Sequence, residues 1–543
     1  MKNYLGKIVV LGLVAVLAAF ALAACGGGSS SGSASASASK SASASGSAAA
    51  ASGGTLTFGC QSYTDGIVDP LNDTNSGWNA MRYGVTESLF KFDDQMNVQP
   101  WLAESCDISD DHKKWTIKLK SGVKFSNGTD MKASAVAASL QRTIDEGDKG
   151  TATPEKYLEK AAKVTADDAN NTVTIETETA YPDLRKNLAY PTMAIVDTAG
   201  TTDYTRGVIG TGPYAIEKYT DKVGYTMKAN ANYRDKVPFD GVEILFLGDA
   251  TAKANALKGG QVMVTENIAT ASDLNELKAD SAYNVNVANG VRCGFSYVNW
   301  NGVLKNDALR QAVMMAIDGQ TVADVTVGGL YTYGYSVLPS NLDYNYDKLT
   351  YKYKYDKEAA KKLLDDAGIK DTDGDGIREI DGQNIKLEWI TYENRGLADM
   401  AQAGQQQLKE IGIDANVNVG DSESEWNKMV NGEYDLCSSN WTTVGTGDPT
   451  EYLANWNGGN KANYCNYSNA KFDEAYTQLL TEFDDQKRKE LITTMQQCLL
   501  DDAAVLVHGY YNSSMISNAS QISNAPIHTA DYYWITSEIT PAA

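Results

Sequence analysis

A few stretches of this 543-residue chain carry residue types at spacings that could do chemistry. "DTDGDGIREIDG" sets Asp371, Asp373 and Asp375 at positions 1, 3 and 5 of an EF-hand-like loop, with Gly376 at position 6, where such a loop turns sharply. Carboxylates so spaced suit a hard divalent cation, and structural Ca²⁺ is one expectation. Position 12, normally a bidentate glutamate, is Gly382 with Asp381 beside it, and a metal-free Asp/Gly turn is the other reading. Gly28-Ser29-Ser30-Ser31-Gly32 fits G-x-S-x-G, yet that motif needs a strand before it and a helix after it, which this Gly/Ser/Ala stretch does not offer. Gly210-Thr211-Gly212-Pro213-Tyr214 lacks the third glycine and the lysine of a phosphate cradle, and predicts a tight turn into the strand "YAIEKY". Arg395, in "TYENRG", offers a guanidinium that would pair with a ligand carboxylate in forked geometry; a solvated surface arginine is the alternative. Three scattered histidines (His112, His508, His528) and the absence of C-x-x-C argue against a histidine metal site, a Ser-His-Asp triad or a thiolate zinc knuckle. No convincing nucleophile-base pair or metal tetrad emerges, so the expectation is a protein that is not an enzyme and requires no cofactor.

These groups must be held by regular elements. "TLTFGCQ" alternates Leu56, Phe58 and Cys60 as a strand does, and "KKWTIKLKSGVKFSNG" alternates Trp115, Ile117 and Leu119 before a Ser-Gly turn and a second short strand, predicting a hairpin. "DMKASAVAASLQRTID" spaces Val136, Leu140 and Ile144 by four, as a helix does. "NDALRQAVMMAIDGQTVADV" repeats that spacing at Leu309, Val313 and Ile317, and "DKEAAKKLLDDAGI" does so again, both closing at or near glycine. From about residue 385, "IKLEWITY", "LADMAQAGQQQLKEIGI" and "DANVNV" run strand, helix, strand, and "EWNKMVNGEYDLCSSNW" continues the grammar. The fold class is therefore α/β, in at least two lobes, with no repeat of 20 to 50 residues to suggest a solenoid or propeller.

The chain opens with an uncharged apolar run at residues 8 to 24 behind Lys2 and Lys7, the layout of an export signal. Its ending, Leu22-Ala23-Ala24-Cys25, resembles the lipobox of bacterial lipoproteins, which implies diacylation of Cys25 and removal of residues 1–24. Residues 25–54 then form a Gly/Ser/Ala tether that cannot bury enough surface to order itself. A formal charge of −22 without Lys/Arg clusters excludes nucleic acid and makes an anionic lipid surface an unsuitable direct partner. Six further cysteines (Cys60, Cys106, Cys293, Cys437, Cys465, Cys498) are compatible with disulfides or with buried free thiols.

In chain order, "LKSGVKFSNGTDMKASAVAASLQRTID", "GTGPYAIEKYTDKVGYTMKANANYRDKVPFDGVEI", "ALRQAVMMAIDGQTVADVTVGG", "YDKEAAKKLLDDAGI", "QQLKEIGIDANV" and "EYDLCSSNW…GDPTEYL" resemble the family 5 (peptide/nickel type) solute-binding proteins of ABC importers over nearly all of Thr55 to Ala543. The resemblance implies a two-lobed periplasmic-binding-protein-like fold of type II, with an extra subdomain and a ligand cleft between the lobes. Lobe I is expected at 55–90, 205–288 and 505–543, the extra subdomain at 91–204, and lobe II at 289–504. It also implies a lipid-anchored monomer on the extracellular face of the cell membrane, which captures a short peptide or similar organic solute and delivers it to permease subunits. A nickel chelate or oligosaccharide ligand, a sensing role, and a secreted hydrolase are the alternatives.

Position in the family pattern points to Tyr63, Asn299 and Trp441 as cleft-facing. Relatives that bind peptides often anchor the amino terminus with an aspartate three residues after the tryptophan that matches Trp441; here that position is Val444, in a loop one residue longer. Asp448 is the candidate substitute, with a role at the start of a helix as the alternative.

Overall fold

The alternating segments assemble into one large sheet and one smaller one. The computed structural model describes residues 53–61, 67–72, 77–146 and 157–543. The apolar run 8–24, Cys25, the tether up to residue 52 and Tyr63 lie outside the described residues. In chain order the strands used below are β1 (Thr55–Cys60), β2 (Ala103–Ile108), β3 (Lys114–Leu119), β4 (Lys163–Asp167), β5 (Thr172–Glu176), β6 (Tyr214–Thr220), β7 (Gly224–Ala229), β8 (Gly241–Phe246) and β9 (Val264–Glu266). They continue with β10 (Tyr283–Val298), β11 (Tyr331–Thr332), β12 (Lys386–Tyr392), β13 (Asp414–Gly420), β14 (Leu436–Thr442) and β15 (Val505–Asn518). The large sheet runs β13-β12-β14-β10-β15-β9-β1-β8-β7-β6, with β11 added against β15.

Two long strands, β10 and β15, join the halves of this sheet. Antiparallel to one another, they pair from Tyr283 with Asn518 to Tyr297 with Val505, so one end lies beside β9 in the first lobe and the other beside β14 in the second. The ladder breaks between Asn289 and Cys293, a bulge that leaves Arg292 projecting where the halves meet. Gly294 pairs with Gly509 across the two strands. A Cβ on Gly294 would come within 2.6 Å of the Tyr331 ring, and one on Gly509, whose φ is +134°, within 2.6 Å of the Thr332 carbonyl oxygen. Those two glycines therefore admit β11 onto the crossing strands.

On the second-lobe side, β12 and β13 are parallel and joined by a helix, as the strand-helix-strand pattern predicts. The helices labelled here are α1 (Ala133–Glu146), α2 (Asp307–Ala316), α3 (Lys357–Asp366), α4 (Leu397–Lys409), α5 (Ser422–Asn431), α6 (Ala470–Leu479) and α7 (Asp485–Asp501). Side chains of Asn306, Asp356, Asp421, Asn469 and Asp484 accept from orphan N–H groups in the first turns of α2, α3, α5, α6 and α7. Gly432, at φ +71°, ends α5 in the left-handed conformation that glycine adopts without steric cost.

The smaller sheet, β2-β3-β5-β4, is antiparallel and packs under α1, whose Val136, Leu140 and Ile144 are buried in one cluster with Trp115, Ile117 and Val173. The expected hairpin after β3 does not form. Trp115 and Ile117 instead lie across from Ile175 and Val173 on one side and Ile108 and Cys106 on the other, leaving only an isolated Lys124–Asp130 bridge beyond the turn. Flanking strands on both sides bury more apolar surface than a two-stranded hairpin could. The six described cysteines are free; burial pushes the Cys60 and Cys465 thiols up to about 12.

Glu425 on α5 is buried and accepts a hydrogen bond from Cys437 Sγ at 2.8 Å. Burial outweighs that hydrogen bond and lifts its carboxyl from 4.5 to about 7. The folded chain thus keeps this proton to higher pH than the unfolded chain, so stability is fully present below about pH 4.5 and falls as pH rises to about 7. Glu425→Gln is expected to remove that slope, roughly 3 kcal/mol across the window, in denaturant titrations at stepped pH. Gly509→Ala is expected to cost about 2–4 kcal/mol in the same assay, because both the backbone conformation and the Thr332 carbonyl oppose a Cβ.

Candidate ligand-binding site

The loop that follows β14 leaves the second lobe and enters the first. Val444 is buried in the cluster containing Trp78, Phe92, Tyr190 and Tyr532, and the Tyr532 hydroxyl donates to the Gly445 carbonyl at 2.8 Å. A Cβ on Gly447 would sit 2.8 Å from the Phe92 ring, so glycine permits this approach. Further along the seam, the rings of His112 and Phe483 lie 4.6 Å apart.

Beside this loop lies a cavity of about 520 Å³, with Tyr157, Tyr181 and Lys186 on one wall and Trp441, Asp448, Tyr476 and Arg488 on the other. Aromatic rings supply broad apolar area with polar edges, and the charged groups sit among them. Asp448 Oδ2 accepts from Arg488 Nη2 at 2.7 Å and lies 4.0 Å from Lys186 Nζ, while Oδ1 accepts from the Thr450 N–H and hydroxyl. Burial works to raise its carboxyl, but Arg488, Lys186 and the Thr450 bond together hold it below the usual carboxylate range. Arg488 is fixed in turn by donating to the Leu479 and Glu482 carbonyls at the end of α6.

The aromatic wall continues inward. Tyr157 stacks on Tyr190 with centroids 4.4 Å apart, and the Tyr190 hydroxyl accepts from Trp78 Nε1 at 3.1 Å. The Arg82 guanidinium lies 4.8 Å from the Trp78 ring and 4.3 Å from Trp534. Arg82 Nη2 donates to Asp531 Oδ2 at 2.9 Å, Arg292 Nη2 to the same oxygen at 3.3 Å, and Trp534 Nε1 to Oδ1 at 3.0 Å. Burial works to raise the Asp531 carboxyl, and Arg82, Arg292 and Arg395 more than offset it. Arg82, Arg292 and Arg395 thus act together on one buried carboxylate.

The structure brings Trp441 and Asp448 together in the cavity and places Arg395 at the inner cluster, its guanidinium 5.7 Å from the Tyr511 ring centroid. Asn299 does not face the cleft. Its amide donates to the Tyr434 and Gly432 carbonyls and accepts from Asn301 N, at the Leu436 end of β14, away from Trp441. The amide is spent on holding a turn. Arg292, Asp531, Tyr157 and Arg488 do not stand out in the sequence, except that a lone arginine inside an otherwise apolar strand, as in "NGVRCGF", is a signal for Arg292.

Ser296 Oγ and His508 Nε2 lie 2.9 Å apart, but the pair is buried and no carboxylate is among the described partners of the imidazole, which burial lowers to about 4. Asp371, Asp373 and Asp375 are exposed and bring one carboxylate oxygen each within 4.8 Å of one another, the residues that could hold a divalent cation. Asp371 already accepts from the Gly374 and Gly376 N–H groups, and Asp375 from Asn384.

A family model for bacterial extracellular solute-binding proteins, family 5 Middle, matches residues 97–464. The oligopeptide-binding protein AppA of Bacillus subtilis (strain 168) is 26% identical over 472 residues, covering 83% of this chain and 85% of that protein. The nickel-binding protein NikA of Staphylococcus aureus (strain NCTC 8325 / PS 47) is 25% identical over 462 residues, covering 84% and 89%. Among solved structures, NikA from Brucella suis in complex with Fe(III)-EDTA superposes with a TM-score of 0.80 at 21% identity, over 90% of this chain and all of that one. That likeness shows the fold, a two-lobed α/β architecture.

Breaking the buried pair from either side leaves an uncompensated charge, so Arg488→Met and Asp448→Ala are each expected to cost about 3–5 kcal/mol by chemical denaturation. The double substitution is expected to cost less than the sum of the two.

Proposed function

This chain belongs to the bacterial extracellular solute-binding proteins of family 5, and on that premise we propose that it is the receptor of an ABC importer, holding a solute between its lobes for delivery to the permease. The observation that carries this reading is the seam itself: a second-lobe loop seated among first-lobe aromatics beside a cavity of about 520 Å³. Closing lobes around a solute removes water, which strengthens each polar contact, and presents one shape for a permease to recognise. Substrate and signal are then a single event.

The ligand class follows from charge. The aromatic wall favours an organic body, as in a short peptide, and Arg395, whose guanidinium lies 5.7 Å from the Tyr511 ring and acts on Asp531, is the group we assign to a ligand carboxylate. Val444 is packed into the first-lobe core and Asp448 is neutralised by Arg488, so neither offers a bare carboxylate to an ammonium terminus. Recognition is thus weighted to the anionic end. Among the described residues no helix is long and apolar enough to cross a membrane. The reading includes a lipid on Cys25 as the attachment to the extracellular face of the cell membrane, with residues up to 54 as the tether.

Matched peptides with free and amidated carboxyl termini are the discriminating probes. A free-carboxylate ligand is expected to raise the melting temperature of the full chain, amidation to weaken binding about tenfold or more, and Arg395→Gln to erase that difference. Calorimetry that finds equal affinity for both forms in the parent chain overturns the carboxylate assignment, and recovery of a chemically altered peptide overturns the receptor reading. Cys25→Ser is expected to move the protein from the membrane fraction to the medium.

A further inference from the structure

A second, smaller cavity of about 100 Å³ is lined only by residues between 81 and 101, 213 and 233, and 528 and 538. None of them lies in the second-lobe span 289–504, so lobe closure neither builds nor dismantles this space. Two hydrogen-bonding groups in its wall have no partner among the described residues. Thr86 is only 1% exposed and its hydroxyl is buried and unbonded; His528 Nε2 is buried and unbonded, with the nearest carboxylate, Glu538, at 3.7 Å. A buried hydroxyl left unbonded is destabilising, and a bound polar molecule would offset that cost.

The charges in the wall are of both signs. Glu87 is consumed by Arg234, whose Nη1 and Nη2 each donate at 2.7 Å, together with Thr211 and Tyr233. With Glu87 so engaged, Lys91 is the cation of the wall itself. Lys91 lies with Nζ 6.0 Å from the Trp101 ring centroid. Across the cavity, Glu538 and Asp94 flank His528 at 3.7 Å on either side of the ring. Trp101 and Tyr533, edge to face at 5.6 Å, supply apolar surface between these poles.

We infer that this cavity binds a small zwitterionic amino acid, its carboxylate toward Lys91, its ammonium toward Glu538, and its short side chain against Trp101 and Tyr533. The volume, on the order of three water molecules in the liquid, suits a molecule the size of alanine. A ligand carrying both charges gains both contacts, whereas one carrying a single charge gains only one.

Alanine, propionate and ethylammonium test the assignment, since the last two each delete one charge from nearly the same body. Titrated into the full chain with ligand-observed NMR, alanine is expected to bind at least tenfold tighter than either analogue. Lys91→Met is expected to remove the advantage over ethylammonium, Glu538→Gln the advantage over propionate, and His528→Phe to weaken alanine tenfold or more. Lys91 and Glu538 are exposed, so these two variants report binding even if His528→Phe lowers stability. No saturable alanine signal overturns the inference, as does equal binding of propionate, or alanine binding unchanged in both charge variants.

Discussion

The structure depends most on one buried carboxylate. Asp531 is 7% exposed and bonds Arg82, Arg292 and the Trp534 indole at once. A guanidinium cannot shed its charge inside a protein, so two arginines at this depth demand an anion beside them. Arg82 belongs to the first lobe and Arg292 to the bulge in a crossing strand, so the same carboxylate ties the C-terminal segment to the point where the halves meet. Arg82, Arg292 and Arg395 together hold that carboxyl below its usual range in spite of its burial.

Rigidity and mobility are divided along the same line. β10 and β15 share most of their length and carry the sheet from one lobe to the other. Beside the cavity the contacts are of mixed kind, with Val444 among rings, a tyrosine hydroxyl on Gly445, Asp448 near Lys186 and His112 on Phe483, while elsewhere Leu257 and Leu274 share an apolar cluster with Val327 and Leu397. Among the described residues, backbone pairing beside the cavity does not bridge the lobes apart from the crossing strands. Side-chain contacts of this sort separate and re-form at modest cost, as hinge closure requires.

What could be seen in advance was what is local. Leu56, Phe58 and Cys60, or Val136, Leu140 and Ile144, declare their buried faces by spacing alone, and the strand-helix-strand order near residue 385 declares parallel pairing. The hairpin after Lys114 failed because alternation says that a strand exists and not which strand it joins. Asn299 was misplaced because an asparagine after a strand looks the same whether its amide holds a turn or a ligand. The Arg292–Asp531 pair spans 239 positions, and no local pattern carries such a contact. Trp441 and Asp448 were reached through the family pattern, but the engagement of Asp448 by Arg488, forty positions on, needed the fold.

The free thiols described above have a consequence for the life of the chain outside the cytoplasm. Cys60, Cys293, Cys437, Cys465 and Cys498 are buried without a covalent link between them, and burial keeps Cys60 and Cys465 protonated far above neutral pH. A thiol in that state is a poor nucleophile toward disulfides and peroxides. The polypeptide can therefore reach its final form without an oxidising catalyst and keep it through swings in ambient redox potential, a suitable constitution for a protein working where the cell no longer controls its chemistry.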